Sequence, residues 1–140
     1  MLAGLAVVAW RRPAIFMYVL AGDVLADATS YALRYAIGRD RPPLHFDVPR
    51  PLVHVPANPS FPSGHATTSF ACATLLAWLT PLPRVPLFAL AALIAFSRVY
   101  DGVHYPLDVV GGAVLGVLLA TALRLLAEAL RRSEQGQQAG

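Results

Sequence analysis

Residues 97–108 read Ser-Arg-Val-Tyr-Asp-Gly-Val-His-Tyr-Pro-Leu-Asp and lie between two apolar runs. Charged groups beside lipid-like sequence are costly, and they are kept at membrane edges or in wet cavities, usually for a purpose. His104 and Asp108 are four residues apart. A helix beginning near His104 would put both on one face, a turn apart. A carboxylate in that place can fix the imidazole in one tautomer and leave its other nitrogen free for chemistry. Pro106 suits a first helical turn. By itself the pair reads first as a capping or packing pair at a helix start and only second as catalytic, so the weight falls on the rest of the chain.

Two more polar clusters change the reading. Arg34-Tyr-Ala-Ile-Gly-Arg-Asp-Arg41-Pro42 places several arginines within eight residues. Guanidinium groups stay charged and grip phosphate in a bidentate fork, although any single arginine here also reads as a membrane-edge side chain reaching for water. Phe61-Pro62-Ser63-Gly64-His65 stands at a helix start, where free N–H groups and the positive dipole end attract anions. Gly64 lets the backbone approach closely, and Ser63 can cap the helix or donate to the anion. His65 is placed to give a proton to a leaving group; otherwise it is a stacked histidine beside an ordinary cap. With Arg98 as a further clamp, His104 as nucleophile and Asp108 as its orienting partner, the inventory is that of phosphoryl transfer through a phosphohistidine. His65 and His104 could in principle ligate zinc, but the surrounding arginines would repel a cation. No metal and no other cofactor is expected.

The elements that must carry these clusters follow from composition. Of 140 residues, 56% are hydrophobic and only 14% charged, well below the roughly 25% of soluble domains. All eleven basic residues are Arg. They are scattered between apolar runs and form no continuous basic patch, so nucleic acid is not an expected partner. The one cysteine, Cys72, excludes an intrachain disulfide and reads as a small packing residue. Residues 1–10 are apolar but would cover only about 15 Å as a helix, half a bilayer. They lack a charged start and a cleavage site, so no secretion leader is expected. Full spans are expected at Ala14–Leu33, Gly64–Leu79, Leu87–Phe96 (a short one) and Tyr105–Leu126. A proline-rich ordered loop separates the first two, and Pro81, Pro83 and Pro86 mark a tight turn. The expected fold is therefore an all-α integral membrane bundle of four full spans plus a partial N-terminal one. It forms one domain over residues 1–130, with a polar tail over 131–140 that frays.

Consecutive spans alternate in direction. Arg34, Ser63 to His65, Arg98 and His104 thus fall on one side, and Arg11, Arg12, Arg84, Arg124, Arg131 and Arg132 on the other. Arg-rich short loops favour the cytoplasm, which puts the polar clusters on the extracytoplasmic face of a multi-pass cell-membrane protein.

The three clusters resemble the signature motifs of the type-2 phosphatidic acid phosphatase / vanadium haloperoxidase superfamily. That pattern is Lys, six residues, Arg-Pro; then Pro-Ser-Gly-His; then Ser-Arg, five residues, His, three residues, Asp. Order and internal spacing match across residues 34–108. The resemblance implies that Arg34, Arg41, Arg98, Ser63 and Gly64 hold the phosphoryl group. It implies His65 as general acid, His104 as nucleophile and Asp108 as its orienting residue, with catalysis free of metal. Arg34 departs from the usual Lys, keeping charge but adding a bulkier, planar group. Membrane members also usually have more spans than the four and a partial one read here.

The expected activity is hydrolysis of a lipid phosphomonoester or diphosphate, with polyprenyl diphosphate slightly ahead of phosphatidylglycerol phosphate and phosphatidate. The expected partners are that lipid and the bilayer; oligomeric state leaves no signal. The rivals are a non-catalytic or truncated relative that binds phospholipid headgroups, and a vanadate-dependent haloperoxidase, which lipid-length spans oppose. Asp23 and Asp27 share a helix face with Arg34, so Asp27 either supports the site or forms a local pair facing the bundle. Gly112 and Gly116 form a G-x-x-x-G expected to serve packing within the bundle rather than dimerisation. His45 and His54 read as surface residues, and Trp10 and Tyr18 as interface anchors.

Overall fold

The computed structural model describes residues 12–45 and 51–138. The partial N-terminal span and Trp10 lie outside the described residues. Pro13 opens the first helix, α1 (Pro13–Ile37), at a position where a missing N–H costs nothing. The helix ends on Gly38, whose φ of 68° suits a residue without Cβ and whose N–H returns to the Arg34 carbonyl at 2.8 Å. A 3-10 turn at Pro42–Leu44 interrupts the proline-rich stretch that follows. Helix α2 (Gly64–Leu79) stops two residues before Pro81, and α3 (Arg84–Tyr100) starts just after Pro83. Asp101 and Gly102, with φ 73°, end α3. Pro106 then opens α4 (Pro106–Gln138). Among the described residues the chain is all-helical, with no strand.

Helix α2 is the centre of the bundle and packs against the other three. Its core with α1 and α4 is built from Val19, Ala26, Ala71, Cys72, Leu75, Leu76 and Ala120. Small residues let the backbones come close. A Cβ on Gly112 would stand 2.5 Å from the Ser63 carbonyl oxygen; one on Gly116 would meet the Thr67 carbonyl and lie 3.0 Å from the Ala71 nitrogen. The G-x-x-x-G therefore seals α4 onto α2, as its spacing suggests. At one end of the bundle the Tyr18 hydroxyl donates to the Leu123 carbonyl at 2.9 Å and Arg124 lies over the Trp78 ring at 4.8 Å. At the other end the Ser63 N–H donates to the Asp108 carbonyl at 2.9 Å. The helices thus alternate in direction, and the ends of α1 and α3 meet the starts of α2 and α4.

Around this apolar core the outer face is also apolar, and a group of polar side chains is buried. Met17, Leu20, Val24, Leu93, Phe96, Val110, Val114 and Leu118 face outward, each between 41% and 65% exposed, while Ser30, Arg34, Arg41, Ser60, Ser63, Thr67, His104 and Asp108 are buried. One described helix, over Pro106–Gln137, is by itself long and apolar enough to cross a membrane. Helices α2 and α3, with 16 and 17 residues, rise about 24–26 Å, short of a hydrocarbon core of roughly 30 Å. Helix α1 is longer but carries Asp23, Asp27 and Arg34.

One expectation is corrected. The polar C-terminal stretch, expected to fray, continues α4 through Gln138. Arg131, Arg132, Glu134, Gln135, Gln137 and Gln138 are good helix formers, and no proline stops the helix. An Arg124–Glu128 pair at 2.6 Å bridges the turn before it.

Candidate active site

Arg34, in the last turn of α1, is only 9% exposed. Its Nη2 donates to Ser30 Oγ at 3.1 Å, and its Nε is buried with no hydrogen-bond partner among the described residues. Gly64 makes room for it: a Cβ there would land on Arg34 Nη2 and lie 3.3 Å from Cζ. Glycine is needed at this position for space rather than for backbone angles.

Ser63 precedes α2 but makes no side-chain cap bond. Its Oγ is buried and has no hydrogen-bond partner among the described residues, while its carbonyl accepts the Thr67 N–H at 3.0 Å and the Thr67 hydroxyl at 2.9 Å. Thr67 N–H makes the first bond of the helix, so the N–H groups of Gly64, His65 and Ala66 have no intrahelical acceptor. The two readings of Ser63 thereby separate, since the cap is not made and a hydroxyl is left to donate elsewhere. His65 follows on the first turn with its side chain exposed.

Arg41 is 3% exposed and bolts the proline-rich loop to the third cluster. Its Nε and Nη2 donate to the Asn58 carbonyl and Oδ1 at 2.9 and 2.6 Å. Its Nη1 donates to the Val103 carbonyl at 2.9 Å and stands 3.2 Å from His104 Nε2. His104 itself, 5% exposed, sits in the loop between α3 and α4. Its Nδ1 lies 3.4 Å from Asp108 Oδ2 and 3.3 Å from Ser60 Oγ. The Ser60 hydroxyl donates to Asp108 Oδ2, which spends its one proton. Ser60 can then only accept from Nδ1, so the proton of the neutral ring belongs on Nδ1 and the lone pair on Nε2, beside Arg41.

Asp108 is fully buried on the first turn of α4. Arg39 Nη1 reaches its Oδ1 at 2.9 Å, and the Tyr105 N–H reaches its Oδ2 at 2.9 Å. Ser60 makes a third donor, and the one Nδ1 proton of His104, shared with Ser60, lies on the same side of the carboxylate, the kind of partnership that a buried carboxylate needs to stay charged. Burial pushes the His104 imidazolium below its ordinary range, and the Arg41 and Arg34 charges push the same way, while the bond to Asp108 pulls against them. Burial and the two arginines thus favour the neutral ring over the imidazolium.

The structure brings Arg34, Arg41, Ser63, Gly64, His104 and Asp108 together, with His65 carried beside Gly64. Arg98 joins through its carbonyl, which accepts the Val103 N–H at 3.3 Å, but its side chain is already paired with Asp101 at 2.8 Å and with Ser97 Oγ at 3.1 Å. Arg39, Asn58, Ser60, Asp101 and Tyr105 were not singled out from sequence. Arg39 stood inside the first cluster and Ser60 one residue before the second, so position was their only signal. The Asp27 carboxylate is exposed; its carbonyl accepts the Ser30 hydroxyl at 2.9 Å, and Ser30 in turn meets Arg34. His45 pairs with Asp40 at the surface at 3.4 Å, and His54 is exposed. Among the described residues no three His, Cys, Asp or Glu side chains converge as a metal site.

A family model for the PAP2 superfamily matches residues 14–132. Decaprenylphosphoryl-5-phosphoribose phosphatase of Mycolicibacterium smegmatis is 42% identical over 97 residues, 69% of this chain and 52% of that protein. Lipid A 1-phosphatase of Rhizobium johnstonii is 37% identical over 113 residues, 78% of this chain and 45% of that protein. The crystal structure of a transmembrane PAP2 type phosphatidylglycerolphosphate phosphatase from Bacillus subtilis matches with a TM-score of 0.69 at 29% identity, covering 89% of this chain and 65% of that one. The chain spans about half the length of the curated relatives it matches.

Proposed function

The chain belongs to the PAP2 superfamily, and from that premise we propose that it is a membrane lipid-phosphate phosphatase with a histidine nucleophile. The observation that carries the reading is the state of His104. Its Nδ1 is locked by Asp108 and Ser60, and its Nε2 lone pair stands beside a buried arginine. The unpartnered Arg34 Nε and Ser63 Oγ support an anion seat in the same place.

In this reading the phosphoryl group is held by Arg34, Arg41, the Ser63 hydroxyl and the first-turn N–H groups beside Gly64. Arg98, steadied by Asp101, adds charge at the rim. His104 Nε2 attacks phosphorus; a P–N bond forms as the bond to the leaving oxygen breaks. Asp108 stabilises the positive charge that appears on the ring. His65 gives its proton to the leaving oxygen. Neutral His65 then takes a proton from water, the oxygen attacks phosphorus, and the P–N bond breaks to release phosphate. None of these steps uses a metal.

The apolar outward face supports placing all four helices in the bilayer, with the short α2 and α3 ending at their polar first and last turns. Arg84, Arg124, Arg131 and Arg132 at the opposite end favour a cytoplasmic location there and an extracytoplasmic site. The substrate is a lipid phosphate, with polyprenyl diphosphate slightly ahead of phosphatidylglycerol phosphate and phosphatidate. The decaprenyl chain in the name of the 42% identical relative supports a polyprenyl carrier, though not the diphosphate itself.

The test is phosphate release by the purified protein in detergent with excess EDTA, on those three lipids, with His104→Ala alongside. Release that survives EDTA, disappears in the variant and ranks the lipids supports the reading. No release from a folded sample overturns it, and release abolished by EDTA overturns the metal-free mechanism.

A further inference from the structure

We propose that Arg39 is a positioning residue for His104, acting through Asp108 and Ser60; this rests on the reading of His104 as the nucleophile. Three contacts radiate from it. Its Nη1 donates to Asp108 Oδ1 at 2.9 Å. Its guanidinium lies 4.3 Å from the centre of the Tyr105 ring, and the Tyr105 N–H meets Asp108 Oδ2 at 2.9 Å. Its carbonyl accepts the Ser60 N–H at 2.7 Å, and the Ser60 hydroxyl touches both Asp108 and His104. The loop after α1, the approach to α2 and the start of α4 are thus registered against one residue.

The division of labour on the carboxylate is uneven. Ser60, Tyr105 and His104 all address Oδ2, while Arg39 is the donor to Oδ1. Removing Arg39 leaves a wholly buried carboxylate oxygen without that donor, so the carboxylate is held from one oxygen only and loses its fixed plane against the imidazole. Arg39 differs from Arg34 and Arg41 in where it points. Those two are 9% and 3% exposed, whereas the Arg39 side chain is 35% exposed at the rim with its Nη1 committed to a carboxylate. It is an ion-pair partner of the orienting acid, not a ligand of the phosphoryl group.

The charge balance gives a signature. His104 faces Arg41 from the turn after α1, Arg34 from α1, His65 from α2 and Asp108 from α4, with Arg98 and Asp101 paired at the end of α3 and Arg39 behind Asp108. Taking away the Arg39 charge leaves Asp108 less neutralised, so the imidazolium form gains and the His104 midpoint rises.

Arg39→Gln and Arg39→Lys are compared with wild type by kinetics of polyprenyl diphosphate hydrolysis across pH. In parallel, 15N NMR of histidine-labelled protein in detergent is read for the midpoint and tautomer of His104. Arg39→Gln is expected to lower kcat about 10- to 100-fold with KM within about twofold, and to move the acid limb and the NMR midpoint upward together. Arg39→Lys, which keeps the charge but not the planar stack, should return part of the rate and most of the midpoint. A raised KM with kcat retained would make Arg39 a phosphate ligand and overturn the proposal. Unshifted midpoints in both variants, with activity lost only in proportion to folded protein, would reduce it to a structural residue. A wild type that folds but releases no phosphate defeats the phosphatase reading, while the NMR comparison still decides whether Arg39 positions His104.

Discussion

Replacing Ser63 by Ala should raise stability and lower activity at once. Serine at a helix start normally contributes a cap bond, and its loss then costs about 0.5–2 kcal/mol. Here no such bond exists, so that cost does not arise. What remains is a hydroxyl that is 0% exposed and has no partner among the described residues. A buried unsatisfied polar group carries a penalty of about 1–3 kcal/mol, and at the lower end of that range its removal returns about 1 kcal/mol, a few degrees in Tm. The backbone is untouched, because the Ser63 carbonyl bonds to Thr67 and its N–H to Asp108 survive the substitution. The same hydroxyl is assigned to the phosphoryl group. A hydrogen bond to a charged acceptor is worth about 1.5–3 kcal/mol, so kcat/KM should fall about 10- to 100-fold. Thermal unfolding in detergent and phosphate release from one preparation read both quantities. A lower Tm with unchanged kcat/KM would show that the hydroxyl is bonded within the fold and refute the argument; a fall in both would point to lost folding rather than a lost donor.

Two further outcomes follow from the geometry. Because burial holds the His104 imidazolium below its ordinary range, the acid limb of kcat/KM should have its midpoint below about 6.5, the unperturbed histidine value. The stability from this depressed group should be complete above that value and fall away as pH drops through the folded midpoint; an acid limb above about 7 in a pH–rate profile would contradict it. Gly116→Ala should destabilise, because the new Cβ meets the Thr67 carbonyl, by about 1–3 kcal/mol. Gly136→Ala, which has open space around it, should stabilise α4 by about 0.5–1 kcal/mol, and the opposite signs are checked by unfolding both variants side by side.

The sequence revealed most about groups whose chemistry is rare. An arginine beside an apolar run, or a histidine four residues before an aspartate, needs an explanation, and so Arg34, Arg41, Ser63, Gly64, His104 and Asp108 could be gathered before any fold was drawn. Helix direction was legible for the same reason, since alternation leaves the clusters only one shared end. The supporting residues were silent because they are common types doing local work. Ser60 looks like a loop serine until its hydroxyl is seen between His104 and Asp108, and Asp101 looks like a helix-end acid until Arg98 is found beside it. Arg39 was visible only as one more positive charge, since nothing in a linear spacing says which of several arginines will face a carboxylate. Helix α4 outran its expected end because propensity carries a helix beyond the apolar stretch that defines a span.

The pairing of Arg39 with Asp108 also bears on the order in which the chain is made. Sixty-nine residues separate the two, so at synthesis rates of about 5–20 residues per second the arginine waits roughly 3–14 s for its acid. During that interval Arg39 has been made and its buried carboxylate has not, and a hydrated cation beyond the end of α1 resists being drawn into a nonpolar phase. The carboxylate arrives last, on the helix that crosses a membrane most readily by composition. The Arg39–Asp108 pair can therefore form only once the start of α4 has been made and docked against the loop after α1.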